Sequence, residues 1–185
     1  AFAMGLGLAH HRLTVLLYPV IAIYVLLNNR NILRDFKTLI RAAFFLLLPF
    51  SFYLYLPLRG NIGSADGAYE NTLSGFVAWV MASQYTTFLT ENPFQVQRDA
   101  AYYWTMFQTQ FTFAGLALAA IGIAALIRKP REWMLLIVAL ITTAGFAFIY
   151  NTADVQVHFL TTFLLLALFL AAGIDALLKL ISDFR

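Results

Sequence analysis

An all-α, polytopic membrane helix bundle is the fold class this sequence predicts, and three observations predict it. Hydrophobic residues make up 62% of the 185-residue chain and charged residues only 11%. A soluble domain carries about 25% charged residues, so the apolar excess here has to face lipid. Five long apolar stretches fill most of the chain, and each approaches the roughly 20 residues that cross about 30 Å of hydrocarbon. The charges between them are sorted by sign.

The first span is predicted at Leu13 to Asn28, slightly short, and the second at Thr38 to Leu56. Pro19 and Pro49 lie inside them. Proline removes a backbone donor and kinks a helix, which membrane bundles accommodate. The third span is Phe107 to Ile127, the fourth Trp133 to Tyr150 and the fifth Phe159 to Ile181. Ahead of them, Ala1 to Ala9 reads as the end of an apolar segment already under way. We therefore expect a single membrane domain over 1–185 that is the C-terminal part or an internal fragment of a longer protein.

The loops alternate in charge. Arg30, Arg34, Lys37 and Arg41 separate spans one and two, opposed only by Asp35. Arg128, Lys129 and Arg131 separate spans three and four, and Lys179 and Arg185 follow span five. The positive-inside rule makes that side cytoplasmic. The opposite side receives the long loop 58–106, with Arg59, Asp66, Glu70, Glu91, Arg98 and Asp99, and a shorter loop with Asp154. Within the long loop, Leu73 to Ala82 is amphipathic and predicts a short helix lying on the outer membrane surface. Trp79, Tyr85, Phe88, Tyr102, Tyr103 and Trp104 supply aromatics for an interfacial belt. The net charge of +3 builds no basic and aromatic face, so nucleic acid is not an expected partner. The absence of cysteine excludes disulfides, thiol catalysis and thiolate metal sites.

The residues that could carry chemistry gather on the external side. His10, His11 and Arg12 interrupt an apolar segment. A titratable group there is costly unless it meets headgroups or a polar cavity, so the triplet reads either as a site for an anionic headgroup or a proton, or as a plain interfacial cap. No carboxylates accompany the two histidines, and no metal site is expected. Arg59 ends the run from Tyr53 to Arg59, before Gly60-Asn61-Ile62-Gly63. Guanidinium pairs bidentately with phosphate, which makes a lipid phosphate its natural ligand; snorkelling to ordinary headgroups is the simpler alternative. Asp154 and His158 share a helical face at i, i+4, suited to orienting an imidazole as a base, although capping is the simpler role for Asp154. Gln108 and Gln110 are placed to hydrogen-bond between helices, and Asp175 with Lys179 to form a local ion pair. No Gly-rich phosphate loop or serine nucleophile motif is present, and no cofactor is evident.

Three stretches together resemble the GT-C class of multi-spanning glycosyltransferases, in particular the transmembrane-protein-260-like O-mannosyltransferases and their bacterial relatives. They are GLGLAHHRLTVLLYPVIAIYVL from Gly5 to Leu26; YLPLRGNIG with the later Gly75-Phe76 and Gln84-Tyr85; and Asp154 followed by HFLTTFLLLALFLAAGI. The chain departs from the family at His158 and Thr161, where an aromatic and a Leu-Pro are usual. The resemblance implies a transferase that moves a sugar from a polyprenyl-phosphate-linked donor to a protein or glycan acceptor on the external face. It implies substrate-binding roles for His10, His11, Arg12, Arg59, Asn61, Tyr85, Asp154 and His158. The family's catalytic carboxylate is expected upstream of residue 1, and the divalent-metal requirement is left open. The expected location is a bacterial inner membrane, multi-pass, with loop 58–106 external. A secondary transporter or flippase fragment and a noncatalytic scaffold are the competing expectations.

Overall fold

The computed structural model describes residues 1–63 and 67–183. Asp66 of the expected external acids and Arg185 of the expected basic set lie outside the described residues. Every regular element among the described residues is helical. In chain order the α-helices are α1 (Phe2–His10), α2 (Tyr18–Asn28), α3 (Phe36–Leu47), α4 (Tyr55–Gly60), α5 (Leu73–Val80), α6 (Thr87–Thr90), α7 (Ala100–Leu126), α8 (Pro130–Ile149), α9 (Val155–His158) and α10 (Leu160–Asp183). The chain clusters into two compact units, Ala1–Glu91 and Asn92–Arg185, and the division falls inside the long loop.

Four helical runs are long and apolar enough to cross a membrane: Phe36–Gly60, Ala100–Leu126, Pro130–Ile149 and Leu160–Asp183. They make this a multi-pass membrane chain. The first of the five expected spans is not among them, because the apolar run Arg12–Asn28 is shorter. Its winding explains how it still reaches far. Pro19 has no N–H to offer the Val15 carbonyl, and the Tyr18 N–H takes that carbonyl instead, in an i→i−3 bond. Arg12–Leu17 is therefore a 3₁₀ helix of six residues, followed by the 11 of α2. At about 2.0 Å per 3₁₀ residue and 1.5 Å per α residue, the run extends about 28 Å. Pro49 acts the same way in the next run. It is buried at the start of the 3₁₀ segment Leu48–Leu54, which joins α3 to α4 without a sharp turn.

The first unit is organised by α1. Gly5 lies so close to the Leu46 carbonyl oxygen that a Cβ would fall on it, so α1 meets α3 backbone to backbone. The Tyr18 hydroxyl donates to the Met4 carbonyl at 2.8 Å. The Tyr53 hydroxyl donates to the Ala9 carbonyl at 2.5 Å. Asp35 starts α3, accepting from the Thr38 N–H at 3.1 Å and the Thr38 hydroxyl at 2.6 Å. Those two bonds, the hydroxyl's first, hold the Asp35 carboxyl below the ordinary carboxylate range. The cap is complete above the unfolded value near pH 4 and is lost as pH falls through the lowered folded value. The protection of the Thr38 amide, taken relative to its intrinsic exchange rate at each pH, is expected to fall only in that acid window.

The second unit is a bundle of α7, α8 and α10. Gly115, Ala119 and Gly122 face α10, and Gly173 faces back. A Cβ on Gly122 would fall on the Phe169 carbonyl oxygen, and one on Gly173 on that of Leu118. Small residues at this spacing let membrane helices approach closely. The Thr143 and Thr162 hydroxyls, both buried, meet at 3.3 Å between α8 and α10. Beyond them, Phe159 is fully buried among Tyr103, Phe107, Phe148 and Phe163, with ring centroids 5.0–6.0 Å away. The short helix expected over Leu73 to Ala82 is present as α5, begun by Thr72, whose hydroxyl accepts from the Gly75 N–H at 3.0 Å. The long loop is shorter than expected at both ends. Helix continues to Gly60, and α7 begins at Ala100, where the Asp99 carboxylate accepts from the Tyr102 N–H at 2.8 Å.

Candidate functional site

The expected site residues divide six to two between the units. His10, His11, Arg12, Arg59, Asn61 and Tyr85 belong to the first, and Asp154 and His158 to the second.

In the first unit the sharpest geometry is at the corner after α1. His11 leaves the helix with extended dihedrals, φ −143° and ψ 117°, and turns the chain. His10 and His11 are both exposed, and the His11 Nδ1 accepts from the Leu13 N–H at 3.4 Å. Arg12 is half-buried. Its guanidinium carbon lies 4.8 Å from the centre of the Tyr53 ring, a cation–π distance, and its Nη1 donates to the Leu8 carbonyl at 2.8 Å. Arg12 and Tyr53 together satisfy two of the carbonyls that α1 leaves open at its C-terminus. The Arg12 Nε is buried and has no hydrogen-bond partner among the described residues. A buried donor of this kind costs about 1–3 kcal/mol until an acceptor reaches it.

Arg59 lies six residues beyond Tyr53 on the same helical run, about 10 Å further along. It is exposed, and its Nη1 donates to the Gly63 carbonyl at 3.3 Å. That long bond ties the guanidinium to the turn it was expected to border. Asn61 closes the turn, its Oδ1 accepting from Asn71 Nδ2 at 2.8 Å. Gly60 is closely packed there: a Cβ would lie 2.8 Å from the Asn71 and Tyr69 side chains, which would have to shift to admit it. Tyr85 is 53% exposed and borders a cleft of about 480 Å³ with Glu70, Trp79 and Gln84.

In the second unit Asp154 precedes α9 and is exposed, but its side chain makes no cap hydrogen bond, contrary to the capping expected of it. His158 is half-buried against Tyr150 and Phe146, with ring centroids 4.7 and 6.4 Å away. Those two rings form an aromatic side to its surroundings. Gln108 and Gln110 are both exposed rather than bonded between helices. Asp175 and Lys179 do pair, at 2.7 Å, on an exposed face where such a pair contributes little.

Arg98 is the residue that sequence reasoning undervalued. It was one external charge among several, yet its Nη2 donates to the carbonyl of buried Thr152 and its guanidinium lies 6.0 Å from the Tyr102 ring. It ties the segment before α7 to the α8–α9 connection. The available signal was its place two residues before the helix that carries Tyr102, Tyr103 and Trp104.

No group of three or more His, Asp or Glu side chains that could hold a metal ion occurs among the described residues. No protein-family model, curated protein or solved structure matches the chain.

Proposed function

We propose that this chain is part of a membrane glycosyltransferase that binds the phosphate of a lipid-phosphate-linked sugar at the membrane face where His10, His11, Arg12 and Arg59 lie. The observation that carries the reading is Arg12. Its guanidinium is fixed in place by Tyr53 and the Leu8 carbonyl and still holds a buried Nε–H without an acceptor. Arg59 stands at the same end of the Phe36–Gly60 span, and two exposed imidazoles immediately precede Arg12. The basic residues Arg30, Arg34 and Lys37 precede or begin α3, at the opposite end of that span. That sorting supports placing loop 58–106 on the external side of a bacterial inner membrane. The resemblance to GT-C enzymes supports the reaction class.

In the reaction, the bond between the sugar's anomeric carbon and the phosphate oxygen breaks. A bond from that carbon to the acceptor oxygen forms, and the acceptor's proton leaves to a base. The guanidinium groups stabilise negative charge as it develops on the departing lipid phosphate. No carboxylate of this chain is assigned the role of base.

A second reading, a transporter or flippase, is favoured by Thr112. Its φ of 59° and ψ of 168° interrupt α7, and interrupted spans are characteristic of transporters.

Equilibrium binding of a polyprenyl-phosphate-linked hexose to the detergent-solubilised protein tests the site. Losing a hydrogen bond to a charged group removes about 1.5–3 kcal/mol, which is roughly 10- to 150-fold in affinity. Arg59→Ala and Arg12→Ala are each expected to weaken binding by about that factor, whereas Arg34→Ala leaves it unchanged. Equal affinities in all three variants would remove the assignment.

A further inference from the structure

A polar face on α7 contradicts the rest of its span. Tyr102, Thr105 and Thr109 recur at helical spacing and lie on one side of the helix, with Gln110 beside them. Thr105, Thr109 and Gln110 are exposed. With Asp99 and Gln156 they border a cleft of about 790 Å³. Counting from Trp104, the last of the interfacial aromatics, Gln110 lies about 9 Å deeper along the helix. With Trp104 at the interface and Ala100–Leu126 as the span, that depth falls inside the hydrocarbon layer, where exposed amides and hydroxyls are costly.

The backbone gives a second, independent observation. Thr112 is exposed and adopts dihedrals that essentially only glycine tolerates. The helical hydrogen-bond ladder cannot run through it undistorted. The Thr112 hydroxyl accepts from the Gly115 N–H at 3.3 Å, as an N-cap does at the start of a new helix. Irregular backbone at membrane depth persists only where protein buries it or where it lines a water-filled cavity.

We propose that this face of α7 lines an aqueous cleft and binds a neutral polyhydroxylated ligand, a saccharide. The chemistry of the lining selects that class. Its Thr hydroxyls donate and accept, and its Gln amides offer both an N–H₂ and a carbonyl. The Tyr102 hydroxyl already accepts from Gln156 Nε2 at 3.1 Å and keeps its own proton to donate. The one formal charge, on Asp99, is engaged by the Tyr102 N–H at 2.8 Å, so the lining carries no free cation for an anionic ligand. Identifying the saccharide with the transferred sugar or its glycan acceptor rests on the proposed transferase function; the aqueous character of the cleft does not.

The chain contains no cysteine, so single cysteines report cleanly. Thr105→Cys, Thr109→Cys and Gln110→Cys, in the intact protein in vesicles, are compared with Ile141→Cys, an apolar control 63% exposed on α8. Only a hydrated thiol ionises to the reactive thiolate. A charged methanethiosulfonate is therefore expected to modify the α7 variants about tenfold or more faster than Ile141→Cys. A polyprenyl-phosphate-linked hexose is expected to slow that modification, and polyprenyl phosphate without sugar is not. Rates equal to the control at all three α7 positions would overturn the cleft, whatever the protein transfers. Fast modification that no hexose slows would overturn its saccharide ligand. Protection by the hexose in a protein that transfers no sugar would retain the cleft and remove the transferase.

Discussion

Gly122→Val is expected to abolish the native packing of the second unit. Any Cβ at this position falls on the Phe169 carbonyl oxygen and comes within 2.8 Å of the Gly173 amide nitrogen. The obstacle is backbone on both counts, so no rotamer change in a neighbour relieves it. Helices α7 and α10 must separate, and the separation uncovers Ala119 and Phe169, which are 2% and 0% exposed. Overpacking a core costs about 1–3 kcal/mol when side chains can yield. Here they cannot, and a loss of at least about 3 kcal/mol is expected, a large part of the 5–15 kcal/mol that holds a typical domain together. The measurement is thermal unfolding of the purified protein in detergent. Gly145→Ala is the matched control. Gly145 lies inside α8 with nothing within 4 Å of its would-be Cβ. Alanine is favoured over glycine in a helix interior by about 1 kcal/mol, so this variant is expected to be as stable as the parent or more so.

Phe159→Ala is expected to cost about 3–5 kcal/mol, the range for removing a large aromatic side chain from a core. Phe159 has no exposed surface and packs edge-to-face on Phe107 at 5.4 Å and on Phe148 at 5.0 Å. Aromatic pairs of this geometry add about 0.5–1.5 kcal/mol beyond area burial. The ring lies where α9 passes into α10, so its loss loosens that junction as well as the α7–α8 contact. Phe159→Leu fills most of the space and is expected to recover much of the stability. Chemical denaturation of the three proteins orders them. A Phe159→Ala protein with the parent's midpoint would show that this aromatic cluster does not hold the unit together.

The spans were legible in the sequence because apolar length is a one-dimensional property. Where α7 begins was less so. The apolar count begins it at Phe107, whereas the helix starts at Ala100, because Asp99 caps it and the aromatic belt extends it. The first span was legible as a short apolar run, but the apolar count does not reveal that Pro19 imposes 3₁₀ winding on its first six residues. The short α5 was visible from its amphipathic pattern, whereas the Thr72 cap that begins it was not read from the sequence. Of the candidate site, the corner at His10 to Arg12 was legible as a break in an apolar run. Its capping of α1 was not, because the Tyr53 partner is 41 residues away in sequence. For Asp154 the position before a helix read as a cap, and the side chain makes no cap hydrogen bond. His158 packs on Phe146 and Tyr150, contacts that spacing along the chain does not reveal. The Thr112 break left no trace in the sequence, since threonine is not a residue expected with such dihedrals.

The proposed function is tested most directly by supplying the intact protein, reconstituted in vesicles, with a polyprenyl-phosphate-linked radiolabelled hexose and candidate peptide and glycan acceptors. The account predicts that label moves to an acceptor with release of polyprenyl phosphate, and that Arg59→Ala abolishes the transfer while the protein remains folded in the membrane. Label that crosses the bilayer still joined to its lipid, or transfer undiminished by Arg59→Ala, would contradict it.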